Sequence, residues 1–120
     1  GYAKEYVEAM YLMLQQKKPD EFVIGTGKNY SVRYFIEETF KLAGMKIVWE
    51  GSGIKEKGIN KENNKTVVEI DEFYFRPSEV DVLLADPKKA KQKLNWQAKS
   101  KIEDIIQMMY KNDLDILKKI

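Results

Sequence analysis

The apolar residues of this chain change period along its length, and that alternation limits the folds open to it. Between residues 2 and 17, Ala3, Tyr6, Val7, Met10, Met13 and Leu14 recur at three- and four-residue spacing, with Lys4, Glu5, Glu8, Gln15 and Gln16 on the other side. That is the period of an amphipathic helix, and Lys17-Lys18-Pro19-Asp20 ends it. The Met and Tyr stripe reads as core packing, since methionine fills irregular gaps. Phe22-Val23-Ile24-Gly25-Thr26 is a strand-length apolar run between turn residues, the mark of a buried strand. Ser31 is a helix N-cap candidate, with Val32, Phe35, Ile36, Phe40 and Ala43 turned inward and Gly44 as the stop. Lys46–Glu50 and Thr66–Asp71 read as strands. The polar, turn-rich residues 55–65 between them make 47–71 a long-looped antiparallel pair. Asp86-Pro87 starts a helix over 87–94, with Asp86 as cap and proline at the first helical position. Asn95 ends that helix and Trp96 docks back onto the core. Ser100-Lys101-Ile102-Glu103 has a capping-box pattern. It opens a last helix whose Ile102, Ile105, Ile106, Met109, Leu114 and Leu117 form one stripe. About four helices with short strands predict a small, mostly helical α+β fold.

Composition narrows the function classes. At 120 residues and 43% apolar content the chain suits one domain with a modest core. Its net charge of +2, from 21 basic and 19 acidic residues, is too balanced to argue for nucleic acid or an acidic membrane as partner. Lys88, Lys89, Lys91 and Lys93 therefore read as a solvated helix face. No apolar run approaches membrane-spanning length and no signal-peptide pattern is visible, so neither membrane insertion nor secretion is expected. There is no cysteine and no histidine. The first absence fits a reducing compartment, and a cytoplasmic location is expected. The second removes the commonest general base and transition-metal ligand. Any catalysis would rest on carboxylates, Tyr, Lys or Ser, which argues against an autonomous enzyme; no catalytic residue and no metal site is assigned. The first helix begins without a leader or a cap, which reads as a chain cut from something larger.

Three segments could carry chemistry. Gly25-Thr26-Gly27-Lys28 invites a phosphate-loop reading, but its spacing refuses it. A P-loop needs glycine where Phe22 stands, and a dinucleotide fingerprint needs a third glycine where Tyr30 stands. These glycines read as permitting a tight turn. Arg33 lies in the first turn of its helix, where a cation opposes the macrodipole; either an anionic partner or plain solvation accounts for it. Phe73-Tyr74-Phe75-Arg76-Pro77-Ser78-Glu79-Val80-Asp81 lies between a strand and a helix, where function concentrates. An arginine fork suits a phosphate and a carboxylate suits sugar hydroxyls. An Arg76–Glu79 or Arg76–Asp81 ion pair stapling the loop is the structural alternative.

The wording of these segments resembles the GDP-mannose 4,6-dehydratase family. Ala3-Lys4-Glu5-Tyr6-Val7-Glu8-Ala9-Met10 looks like the helix opening the C-terminal part of those enzymes. Phe22-Val23-Ile24-Gly25-Thr26-Gly27 with Ser31-Val32-Arg33 is similar as well. So are Trp49-Glu50-Gly51, Glu56-Lys57-Gly58, Tyr74 to Asp81, and Asp86-Pro87. The resemblance covers nearly the whole chain, and the run from Tyr74 to Asp81 is its most specific part. Related extended short-chain dehydrogenases share the helix, the glycine turn and an Arg-Pro element.

The resemblance implies a two-domain enzyme, homo-oligomeric at full length, of which residues 1–120 are the C-terminal nucleotide-sugar-binding domain. In the family a Rossmann domain holds NADP and the catalytic Thr, Glu, Tyr and Lys. Hydride passes from sugar C4 to NADP, a base takes the C5 proton, water leaves from C6, and the hydride returns to C6. None of those acting residues can be placed in this chain. It has no GxGxxG, and Tyr110, Tyr2 and Tyr30 are followed four residues on by Leu114, Tyr6 and Tyr34 instead of lysine. The fragment is therefore expected to bind no NADP and to be inactive alone, with the missing Rossmann domain as its partner and GDP-mannose as its ligand. The resemblance places Arg76 at the nucleotide's phosphate or ribose region, Glu79 on the ribose hydroxyls and Arg33 as a second basic contact near the pyrophosphate. Ser78 replaces a more frequent threonine. Two other readings stay open: another nucleotide-sugar epimerase, reductase or dehydratase, or a stand-alone protein-interaction module.

Overall fold

A computed structural model describes residues 1–78 and 81–120. The chain falls into two compact units, Gly1–Tyr30 with Val82–Ile120, and Ser31–Asp81. Among the described residues they carry four α-helices and one three-stranded antiparallel sheet, which bears out the small α+β class.

The first unit contains α1 (Ala3–Leu14), α3 (Lys88–Leu94) and α4 (Ile102–Lys118). Its core is Ala9, Ala90, Leu94 and Trp96, with Tyr6, Leu12, Met13, Phe22, Ile24 and Ala98 packed around them. The alanines let α1 and α3 approach closely, and the Tyr6 and Trp96 rings meet edge to face at 5.9 Å. Trp96 docks as expected. Asn95 stops α3 in the left-handed conformation at φ 52°, and the indole Nε1 donates to the Glu5 carbonyl at 2.9 Å. Helix α3 begins one residue later than its cap signal implied, yet Asp86 Oδ1 still accepts the Lys88 N–H at 3.2 Å. Helix α1 is shorter than residues 2–17 suggested, and no side chain caps its start.

Three expectations fail in this unit. Residues 22–26 form no strand. Phe22 and Ile24 face the core and Val23 faces out, as in a strand, but no described neighbour supplies a hydrogen-bonded ladder. The apolar alternation was real; the missing partner decides the outcome. The capping box sits one residue downstream of its pattern. Lys101 N–H donates to Asp104 Oδ2 at 2.8 Å, because Ser100 is committed elsewhere. Its N–H and Oγ both donate to Glu5 Oε1, at 2.9 and 3.0 Å, alongside the Lys99 N–H at 3.1 Å. Glu5, expected on the solvent side of α1, instead clamps the entry to α4. Finally, the α4 stripe buries only at its start. Ile106 is 2% exposed, whereas Met109, Leu114 and Leu117 are exposed.

The second unit contains α2 (Val32–Leu42), β1 (Ile47–Glu50), β2 (Lys57–Asn60) and β3 (Thr66–Glu69). Ser31 caps α2 as expected, its Oγ accepting the Tyr34 N–H at 3.1 Å. Gly44 at φ 75° ends it, with the Met45 N–H returned to the Phe40 carbonyl at 2.9 Å. Phe35, Ile36 and Phe40 are half-buried, but Val32 and Ala43, expected inward, are exposed. The polar excursion conceals a strand: β2 lies between β1 and β3, antiparallel to both. Gly58 explains how so polar a segment is central. A methyl group there would lie 2.9 Å from Val68 Cβ, so only glycine leaves room between the flanking strands. The following residues fold into a tight turn. Asn60, 4% exposed, accepts the Glu62 N–H through Oδ1 at 3.0 Å, and Asn64 takes φ 56°. A short 3₁₀ turn at Gly53–Lys55 joins β1 to β2.

Candidate functional site

After β3 the chain makes a turn built on Asp71. Its Oδ1 accepts the Phe73 N–H at 2.9 Å and its carbonyl accepts the Tyr74 N–H at 3.1 Å. This turn drives three consecutive aromatics outward, with Phe73 and Tyr74 stacked edge to face at 5.0 Å and both mostly exposed. Arg76 follows directly. Glu69, Ile70, Asp71, Tyr74, Phe75 and Arg76 line an open basin of about 590 Å³. A guanidinium that lines a basin together with aromatic residues can take an oxyanion or stack on a planar ring. Arg76 thus lines a surface basin in the loop that follows β3, within the unit of residues 31–81. Glu79 lies outside the described residues.

Arg33 is not a freely solvated arginine. From the first turn of α2 its Nε donates to Glu56 Oε1 and its Nη2 to Glu56 Oε2, each at 2.7 Å. The pair is a bidentate fork between residues 23 apart, with side-chain exposures of 59% for Arg33 and 14% for Glu56. So exposed a cation makes the pair worth only about 0.2–1 kcal/mol of stability. On the same unit the Trp49 Nε1 donates to Glu37 Oε1 at 2.7 Å, tying β1 to α2. Glu56 escaped the sequence reading because it sits in a run of lysines and turn residues, where its charge looked solvated.

The glycine turn of the first unit has a structural explanation. A methyl group at Gly25 would lie 2.5 Å from Ala85 Cβ, so the bare backbone admits Ala85. Gly27 supplies the positive φ of 75° that the turn needs. Among the described residues no group of three or more His, Cys, Asp or Glu is placed to hold a metal ion. No described helix is long and apolar enough to cross a membrane.

The family model described as GDP-mannose 4,6 dehydratase matches residues 1–109. The chain belongs to the GDP-mannose 4,6-dehydratase family. Similar proteins of that name occur in distant organisms. The one from Dictyostelium discoideum is 48% identical across 98% of this chain, and the human one is 47% identical across 98%. The one from Sinorhizobium fredii is 45% identical, again across 98%. The chain spans about a third of the length of these curated relatives, 33%, 32% and 34% respectively. Membership of the GDP-mannose 4,6-dehydratase family thus rests on nearly all of this chain, from α1 into α4, and on a minor part of each relative.

Proposed function

We propose that this chain is the C-terminal nucleotide-sugar-binding part of a GDP-mannose 4,6-dehydratase of the extended short-chain dehydrogenase type. The observation that carries the reading is identity of 45–48% across 98% of the chain to proteins of that name. GDP-mannose is the ligand, and the activity of the longer enzyme is its conversion to the 4-keto-6-deoxy sugar. Arg76, and behind it Arg33, meet the diphosphate, and Glu79 meets the ribose hydroxyls. The exposed Arg76 basin supports the first role. A planar donor on a phosphate oxygen contributes roughly 1.5–3 kcal/mol per charge-assisted hydrogen bond. Held there, the nucleotide delivers its sugar to chemistry performed elsewhere in the polypeptide.

NADP, which supplies and recovers the hydride in such enzymes, does not fit the residues of this chain. The Gly25 space is already taken by Ala85, and Tyr30 stands where a dinucleotide turn needs glycine. The cofactor and the acting Thr, Glu, Tyr and Lys belong to a Rossmann part, and this chain alone is inactive. Helix α1 supports such a partner, being apolar on two faces. Tyr6, Ala9, Leu12 and Met13 pack inward, and Val7, Met10, Tyr11 and Leu14 stand exposed at helical spacing. A cytoplasmic, homo-oligomeric enzyme follows from the same reading.

The test is Arg76→Ala in the longer enzyme that contains this chain. KM for GDP-mannose is expected to rise roughly tenfold or more with the fold retained. An unchanged KM contradicts the phosphate role.

A further inference from the structure

We propose that Glu56 is a positioning residue, holding the Arg33 guanidinium so that its outward edge receives a phosphate oxygen. This rests on the reading of Arg33 as a pyrophosphate contact and adds the residue that makes that contact specific.

The clamp is asymmetric. Glu56 is the shielded partner, with 14% of its side chain exposed against 59% for Arg33. Its backbone is fixed at the end of the 3₁₀ turn, where its N–H donates to the Gly53 carbonyl at 3.2 Å. The turn itself is tight. Gly51 has φ 81°, and a methyl group there would lie 2.8 Å from the Lys55 carbonyl oxygen. Immediately beyond, Lys57 enters β2 opposite Glu50 and Glu69. The acid is thus anchored by a turn and a central strand, while the cation reaches it from a helix with no acidic residue in its first turn.

A guanidinium has five N–H donors in a rigid plane. Glu56 engages one on Nε and one on Nη2. The other three lie on edges the carboxylate does not cover, and planarity fixes their direction once the fork is locked. A cation in the first turn of a helix opposes the macrodipole, and nothing in local helix energetics favours one there. A diphosphate, with several oxygens on two adjacent phosphorus atoms, is the ligand class that takes paired donors from a preoriented arginine. Locking the side chain beforehand removes the ordering cost that a free arginine meets on binding.

The sign of one substitution separates positioning from simple charge. If Glu56 acted on the anion only through its negative charge, Glu56→Gln would tighten binding. If it positions Arg33, Glu56→Gln loosens binding. The experiment titrates the 120-residue chain with GDP and with inorganic pyrophosphate by calorimetry, alongside thermal melts. Arg33→Ala is expected to weaken GDP binding about tenfold, and Glu56→Gln about three- to tenfold with little change in melting temperature. Glu56→Asp is expected to restore part of the loss. The double variant is expected to bind no more weakly than Arg33→Ala alone, because the two residues act as a unit. Unchanged or tighter binding in Glu56→Gln, with Arg33→Ala weakened, overturns the positioning role and leaves the Arg33 contact standing. No effect of Arg33→Ala, or no binding by the unsubstituted chain, overturns the contact itself and the proposal with it. If Glu56→Gln does not fold, the Arg33 Nε–H resonance of the unsubstituted chain decides. A shift on adding pyrophosphate supports the proposal, and an unmoved resonance overturns it.

Discussion

Asp20 shows how a loop residue at the end of α1 is tied to α3. Its carboxylate accepts from Lys89 Nζ at 2.8 Å and from Lys93 Nζ at 3.1 Å, and its Oδ1 also takes the Glu21 N–H at 2.8 Å. The Lys89 hydrogen bond first, then the Glu21 N–H and Lys93, hold the carboxyl well below the usual carboxylate range. Lys89 in addition lies 5.1 Å from the centre of the Phe22 ring. A carboxyl depressed in the folded state contributes stability that is fully present above its unfolded pKa and is lost as the pH falls toward the folded value. Melting curves of the unsubstituted chain and of Asp20→Asn should therefore differ most at about pH 6 and converge toward about pH 2. A gap that widens in acid contradicts the account. The lysine run of α3, which reads from the sequence as solvated, is thus half structural. Lys89 and Lys93 recur at four-residue spacing and meet one acid 69 and 73 residues away, a pairing that no local pattern displays.

At the scale of elements, what was legible in the sequence is what local chemistry decides. The Ser31 cap and the Gly44 and Asn95 stops depend on residues within a few positions of each other, and all three stand in the structure. The errors fall where a distant partner decides. β2 looked like loop because Lys57, Gly58 and Asn60 carry no strand propensity; the sheet accepts them because Val68 fills the space above Gly58. Residues 22–26 read as a strand and have no ladder among the described residues. Ser100 left its expected cap because Glu5, far off in sequence, offered a better acceptor. Helix α1 carries the prediction at this scale. Its outer stripe of Val7, Met10, Tyr11 and Leu14 is between 59% and 82% exposed, so it contributes little to the fold of the isolated chain. Val7→Lys combined with Leu14→Lys should leave the melting temperature nearly unchanged, within roughly 0.5 kcal/mol for each exposed substitution. The same pair should reduce concentration-dependent association in sedimentation. A large loss of stability would mean that the stripe is already internal, contrary to its exposure.

At the scale of the molecule, the residues proposed to bind all belong to one of the two compact units, residues 31–81. Arg76 stands in the basin at the end of the second unit, and Arg33 is held by Glu56 within that same unit. The fold class and the family were readable from sequence because motif wording runs along nearly the whole chain. The Arg33–Glu56 fork was not, since both partners look solvated when read singly. The account's central claim is that this chain recognises a guanosine diphosphate sugar, and base selectivity tests it most directly. Calorimetric titration with GDP, UDP and dTDP under one buffer condition compares ligands that share a diphosphate and differ in the base. The account predicts that GDP binds at least about tenfold more tightly than UDP or dTDP, a gap of about 1.4 kcal/mol. Equal affinity for all three, or a preference for UDP or dTDP, would contradict it.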